Sequence, residues 1–265
     1  MFKTNIFEDT EDHHIINNRG CFSVVEYTRD ISVSPETAVT AYFSSQMNVR
    51  KKQLIADLKD GAGVIMQAGE MQLMMGNIMA KTDVRGAGDL MKKFVGSRVT
   101  GETTIKPVYS GDGIIVSEPT FKYIILIDLD DFNNSLIVED GMFLACEDTI
   151  DLKVKARDTI SSAVLGKEGL FNSNLKGRGV VALESSAPYE ELLEVKLEND
   201  VLKVDGDMAI AWSGDLSFTV ERVTPTLIGS MASGEGLVNV YRGTGKVLVA
   251  PVSRNKGISH PEKTK

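Results

Sequence analysis

Side chains able to do acid–base or ligand chemistry are few in this chain, and they are unevenly placed. Histidine occurs at three positions, His13, His14 and His260, all near the ends. Proton transfer and nucleophile activation near neutral pH lean on histidine first, so the long stretch between residues 15 and 259 lacks the usual base. A metal could be held by His13-His14 with Glu11 or Asp12, but adjacent side chains seldom point the same way and terminal polar residues are usually solvated. Cys21 and Cys146 match no zinc spacing and cannot build a disulfide framework. Cys146, within Met142-Phe143-Leu144-Ala145-Cys146, reads as a buried small apolar residue. Acidic clusters at Asp128-Leu129-Asp130-Asp131, Glu139-Asp140 and Glu147-Asp148 lack calcium-loop spacing and read as solvated turns. No catalytic, cofactor-binding or metal-ligating residue is therefore assigned.

A phosphate cradle is the next candidate, because a Gly-x-Gly pair occurs three times, at Gly111-Asp112-Gly113, Gly177-Arg178-Gly179 and Gly243-Thr244-Gly245. Such cradles need a helix N-terminus directly after the glycines. Here each pair runs into Ile114-Ile115-Val116, Val180-Val181-Ala182 or Lys246-Val247-Leu248-Val249. These are strand residues, and the glycines are expected to be hairpin positions with positive φ. Both intervals between the first glycines are 66 residues. Equal spacing, with a β-rich run after each copy, predicts three tandem copies of one unit. Glu102, Glu168 and Glu235 recur beside glycines before corresponding strands, which suits a structural task done three times better than catalysis.

The elements that must position these residues are short strands. A polar start is followed by strand candidates at residues 21–27 and 38–43, separated by Pro35. The first 52 residues are read as an extension that adds strands to an edge or serves as an arm between subunits. Copy one spans residues 53–119, with strands near 54–58, 64–66 and 71–75, a tight corner at Gly76-Asn77 and a helix-like piece at 89–94. Copy two spans 120–187, with strands near 121–129, 136–138, 142–146 and 150–155, and a helical turn at 161–165. Copy three spans 188–251: residues 202–212 parallel 136–146, 216–221 parallel 150–155, and 227–231 form a helical turn. Residues 252–265 form a loose tail. One such unit buries too little apolar surface to stand alone, and three can cover one another. Met66, Met71, Met74, Met75 and Met79 crowd copy one and are expected mainly to fill its core.

Composition limits the function classes. A net charge of −8 argues against general nucleic-acid binding, which needs a basic footprint. No apolar run reaches the length of a membrane helix. The acidic start, with Glu8, Asp9, Glu11 and Asp12, resembles neither a signal nor a transit peptide. A cytoplasmic protein is expected.

Several of these residues resemble a known family. The segments are Phe143-Leu144-Ala145-Cys146, Ala209-Ile210-Ala211-Trp212, Gly166-Lys167-Glu168-Gly169-Leu170-Phe171 and Gly234-Glu235-Gly236-Leu237, with the closing Gly-x-Gly-x-Val pattern and Pro251. Over residues 53–251 the chain is similar to the family named for altered inheritance of mitochondria protein twenty-four. The resemblance implies an all-β fold of three tandem β-sandwich repeats, each like the subunit of the tryptophan RNA-binding attenuator protein, in the double-stranded β-helix class with short helical turns. It implies no catalytic residue, and the attenuator protein's tryptophan and RNA binding does not transfer with the fold.

The expectation is a non-enzymatic scaffold or binding protein that acts through self-association and protein contacts as a homo-oligomer, without a cofactor. The alternative is a small-molecule or metal-binding enzyme of the double-stranded β-helix class, with a pocket between repeats.

Overall fold

A computed structural model describes residues 2–29, 32–59, 61–82, 106–156, 171–222 and 237–252. The first strands, β1 (His13–Arg19) and β2 (Phe22–Tyr27), form an antiparallel hairpin across Gly20. The second strand expected in the extension is instead a helix, α1 (Ala38–Gln46). Its large apolar residues Val39, Tyr42 and Phe43 follow helical spacing rather than alternation. Among the described residues no strand pairs with the segment to take its backbone groups, whereas a helix satisfies them internally. None of its residues is buried.

The strands then follow in quick succession. They are β3 (Lys51–Leu58), β4 (Gly63–Met66), β5 (Met71–Lys81) and β6 (Val108–Ser117). Next come β7 (Tyr123–Asp128), β8 (Ser135–Val138), β9 (Phe143–Glu147), β10 (Asp151–Ala156), β11 (Phe171–Lys176) and β12 (Val180–Ser185). The last are β13 (Leu193–Asp205), β14 (Ala209–Ser213), β15 (Ser217–Arg222) and β16 (Leu237–Val249). The fold is mostly β, and every pairing among the described strands is antiparallel.

Two sheets result. Nine strands form one, in the order β1-β2-β3-β6-β4-β9-β12-β7 with β5 also on β6. Seven form the other, in the order β10-β11-β8-β14-β16-β13 with β15 also on β16. The first sheet curls into a nearly closed barrel and the second into a half-barrel. At the barrel's seam, just before β7, Lys52 and Thr120 exchange backbone hydrogen bonds of 2.8 and 2.9 Å.

The middle of the chain is shared between the sheets. Strands β7, β9 and β12 lie in the first, and β8, β10 and β11 in the second. The crossing from β11 to β12 is the Gly177-Arg178-Gly179 segment. The three Gly-x-Gly pairs are thus not hairpin turns, as the sequence suggested, but bends along a strand path. In β6 and β16 the strand runs through the pair without a break. Positive φ is present at Gly177 (120°) and Gly243 (120°), a region that disfavours any residue with a Cβ. The corner expected at Gly76-Asn77 is likewise a bend, since β5 continues through Gly76 opposite Gly113.

Alternating apolar residues fill three main cores. The barrel interior holds Phe22, Leu54, Leu58, Ile115, Ile124 and Leu144. Between the sheets, Ile125, Phe143, Cys146 and Val181 meet Ile210 and Leu248. In the half-barrel, Trp212 packs on Phe218 and Tyr241 at centroid distances of 5.5 and 5.2 Å. The helix-like pieces at 89–94, 161–165 and 227–231, and the tail beyond residue 252, lie outside the described residues.

Candidate functional site

At the seam of the barrel lies a cavity of about 400 Å³ with charged lining, between β1 and β3 on one side and β7 on the other. Arg19, Lys52, Tyr123, Asp131, Glu194 and Lys246 face it. Lys52 is 2% exposed, and a buried ammonium requires compensation. It finds Glu26 at 3.1 Å, the Arg50 carbonyl at 3.0 Å and the Tyr123 ring at 4.6 Å. Arg19 meets Asp131 at 3.2 Å, and Lys246 lies 4.0 Å from Glu194 and over the Phe132 ring. Each cation on the wall thus has a carboxylate neighbour already. Attraction for an anionic ligand is correspondingly low, and the pairs act to pin the seam.

A second group tied together by tertiary structure centres on Glu147. One carboxylate oxygen accepts the Cys21 backbone N–H at 2.9 Å and the other accepts the Val180 N–H at 3.0 Å. The side chain therefore fastens the β1–β2 hairpin to the glycine-flanked start of β12. The Cys21 thiol is pushed up from its ordinary pKa, chiefly by burial and then by the Glu147 charge. The Cys146 thiol is also pushed up, mainly by burial. Both remain protonated at neutral pH, the reverse of an activated nucleophile.

The other residues singled out from the sequence are dispersed. His13 and His14 are successive residues of β1, so their side chains leave opposite faces. His13 Nδ1 is bonded to the Thr10 hydroxyl at 3.0 Å, and His14 Nδ1 lies 3.9 Å from Asp9. Among the described residues, no three His, Cys, Asp or Glu side chains converge as a metal site. Asp128 caps a short 3-10 turn by accepting the Asp130 N–H at 3.0 Å. Glu139 and Asp140 depart from the solvated turn expected for them: they are 3% and 1% exposed. The turn is covered by β14, since the Glu139 N–H donates to the Ile210 carbonyl at 3.0 Å. Glu102, Glu168, Glu235 and His260 lie outside the described residues.

The methionines also depart from expectation. Met66 is fully buried, but Met74 and Met79 on β5 are 45% and 60% exposed. Helix α1 exposes Val39, Tyr42 and Phe43, and Met47 at its C-cap is exposed too. Lys52 was missed by sequence reasoning, and Glu147, read there as part of a solvated turn, is instead tied to two backbone amides. Glu147 has partners 126 and 33 residues away, and they are backbone amides, which carry no residue-type signal. A lysine at an apolar strand's start gave the only hint of Lys52.

The fold is that of a mostly-β, two-sheet protein. Comparison with known proteins gives the family. The profile described as mitochondrial biogenesis AIM24 matches residues 43–252, and the chain belongs to that family. A Streptococcus pyogenes serotype M6 protein described as uncharacterized is 28% identical over 201 residues, covering 73% of this chain and 78% of that one. A crystal structure of a Streptococcus pyogenes protein from a structural genomics consortium is similar with a TM-score of 0.57 at 24% identity, over 77% of this chain and 89% of that one. That likeness concerns the fold alone. Among the described residues no helix is long and apolar enough to cross a membrane.

Proposed function

We propose that this chain is a non-enzymatic β scaffold that works through self-association and protein contacts. Its body is read as three copies of one β unit, 53–119, 120–187 and 188–251, preceded by the extension 1–52 and followed by the tail 252–265. The observation that carries the reading is the set of large apolar side chains left exposed around α1 and on β5: Val39, Tyr42 and Phe43 on the helix with Met47 at its C-cap, and Leu73, Met74 and Met79 on the strand. Exposed apolar residues in such groups mark contact surfaces. The three-copy part is supported by strand pairing. In each segment the strand path carrying Gly-x-Gly has one half between β3 and β5, β7 and β9, or β13 and β14, and the other half between β4 and β5, β8 and β10, or β13 and β15.

Size-exclusion chromatography with light scattering on the full chain at micromolar concentration tests self-association. A particle of several times the 28.9 kDa chain mass is expected, and a strictly monomeric particle removes that part of the reading. The second reading, a small-molecule or metal-binding enzyme, draws on the seam cavity. Elemental analysis and a thermal-shift screen address it: a stoichiometric metal, or a ligand whose stabilisation is lost in Tyr123→Ala, would replace the scaffold reading.

A further inference from the structure

Resting on the three-copy, self-associating reading above, we propose that copies of this chain join head to tail, the outer edge of β13 in one copy pairing with the outer edge of β5 in the next. The register follows from two joints already made within the chain. The first segment pairs with the second through β4 and β9, with Ile65 opposite Cys146, flanked by Val64↔Glu147 and Met66↔Ala145. The second pairs with the third through β8 and β14, with Ile137 opposite Trp212, flanked by Leu136↔Ser213 and Val138↔Ala211.

These two joints are the same joint. Ile65 and Ile137 lie opposite Val108 and Asn174, which are 66 residues apart, and the next residue 66 on, Val240, has Lys203 opposite it. On the other partner, Cys146 and Trp212 lie opposite Val181 and Val247, and the residue 66 before Val181, Ile115, has Met74 opposite it. Each joint therefore takes a strand of the Ile65, Ile137, Lys203 series and a strand of the Met74, Cys146, Trp212 series from the following unit. Within one chain the series leaves one member of each unused: Lys203 on β13 and Met74 on β5. Among the described strands, β13 pairs with β16 alone and β5 with β6 alone.

Exposure agrees with the vacancy. Cys146 and Trp212 are fully buried, whereas Met74 at the corresponding place is exposed. From Met71 to Ala80, β5 carries neither a charged residue nor proline, the devices by which edge strands ordinarily repel a second chain. A second copy is the occupant, because the joint it would make is continuous with the two inside the chain. The predicted pairs between copies are Lys203↔Met74, Leu202↔Met75 and Val204↔Leu73. A contact between two different edges closes as a ring or runs on as a filament. Lys203 stands where Ile65 and Ile137 stand in the inner joints, so the joint between copies is the weaker one and the assembly is reversible.

Cysteine pairing tests this. Met74→Cys and Lys203→Cys, both at exposed sites, are made singly in the full chain, then mixed and mildly oxidised, since residues directly opposite in antiparallel strands are about 5 Å apart at Cβ. The mixture is expected to give a disulfide-linked pair of chains at least tenfold more abundant than either variant alone. Native mass spectrometry of the same samples separates the outcomes. An assembled protein without that cross-link overturns the β5–β13 joint and leaves self-association standing. A monomer at all concentrations overturns both. Leu73→Lys, at an exposed position, supplies the second readout: loss of assembly with an unchanged unfolding midpoint of the single chain is expected, and undiminished assembly would overturn the joint.

Discussion

Among the described strands, β9 and β14 are held along both edges, whereas β5 and β13 are held along one. The difference is visible residue by residue. Cys146 and Trp212 lie on the doubly held strands and are sealed in cores, while Met74 and Val201 on the singly held ones remain exposed. The apolar side chain of Met74 thus ends in the opposite environment from those of Cys146 and Trp212, according to whether another segment reaches the strand's second edge. Burial in this fold is conferred by the neighbouring segment as much as by the strand's own sequence.

The largest test of that contrast is removal of the side chain at the two extremes. Trp212→Ala would empty a site stacked by Phe218 and Tyr241, and a loss of about 3–5 kcal/mol is expected. Met74→Ala should cost the single chain less than about 0.5 kcal/mol, as at other exposed positions. Denaturant unfolding of both variants checks the pair, and comparable losses would end the contrast.

A smaller effect should come from Glu147, the carboxylate that fastens the amino-terminal hairpin to β12. Glu147→Ala leaves two N–H groups without their charged acceptor, and a loss of about 2–3 kcal/mol is expected. Amide exchange should quicken at Cys21 and Val180 and stay unchanged along β16. Unaltered exchange at both would show that the tie contributes nothing.

The smallest effect concerns the solvent side of β15 and β16. There Arg242 bonds both oxygens of Glu221, at 2.6 and 2.8 Å, and Thr219 adds a third contact. These bonds hold the Glu221 carboxyl down to about 2, against an ordinary 4.5. A depressed carboxyl contributes its stability fully above the ordinary value and loses it as pH falls through the lowered one. The window is therefore pH 4.5 to about 2, and the pair's exposure keeps the effect slight. Carboxyl titration by NMR should follow Glu221 to about 2 in the parent and bring it back toward 4.5 in Arg242→Gln; the same low value in both would refute the assignment.

The alternating strand read at 150–155, observed as β10 (Asp151–Ala156), and the buried Cys146 could be read directly, because alternation and apolar runs are local properties of the chain. Other features were misread for equally physical reasons. Residues 38–43 carry β-forming side chains but pair with no strand among the described residues, so the helix prevails. Gly177 and Gly243 were correctly placed at positive φ, yet a bend within a strand and a hairpin turn place the same demand on glycine. Glu139 and Asp140 looked solvated because nothing local announces that Ile210 covers them. The candidate site was hardly legible at all: Lys52 and Glu147 acquire their roles from partners far along the chain.

From the sequence alone come the periodic elements: short antiparallel strands, the 66-residue spacing of the Gly-x-Gly pairs and the lack of a central histidine base. These depend on side-chain type and on backbone freedom at single residues, which the chain carries wherever it lies. Tertiary structure decided how β7 to β12 divide between two sheets, which strand edges are used, and which charges are enclosed. Such outcomes depend on hydrogen bonds and burial supplied by distant segments, and only folding brings those segments within reach.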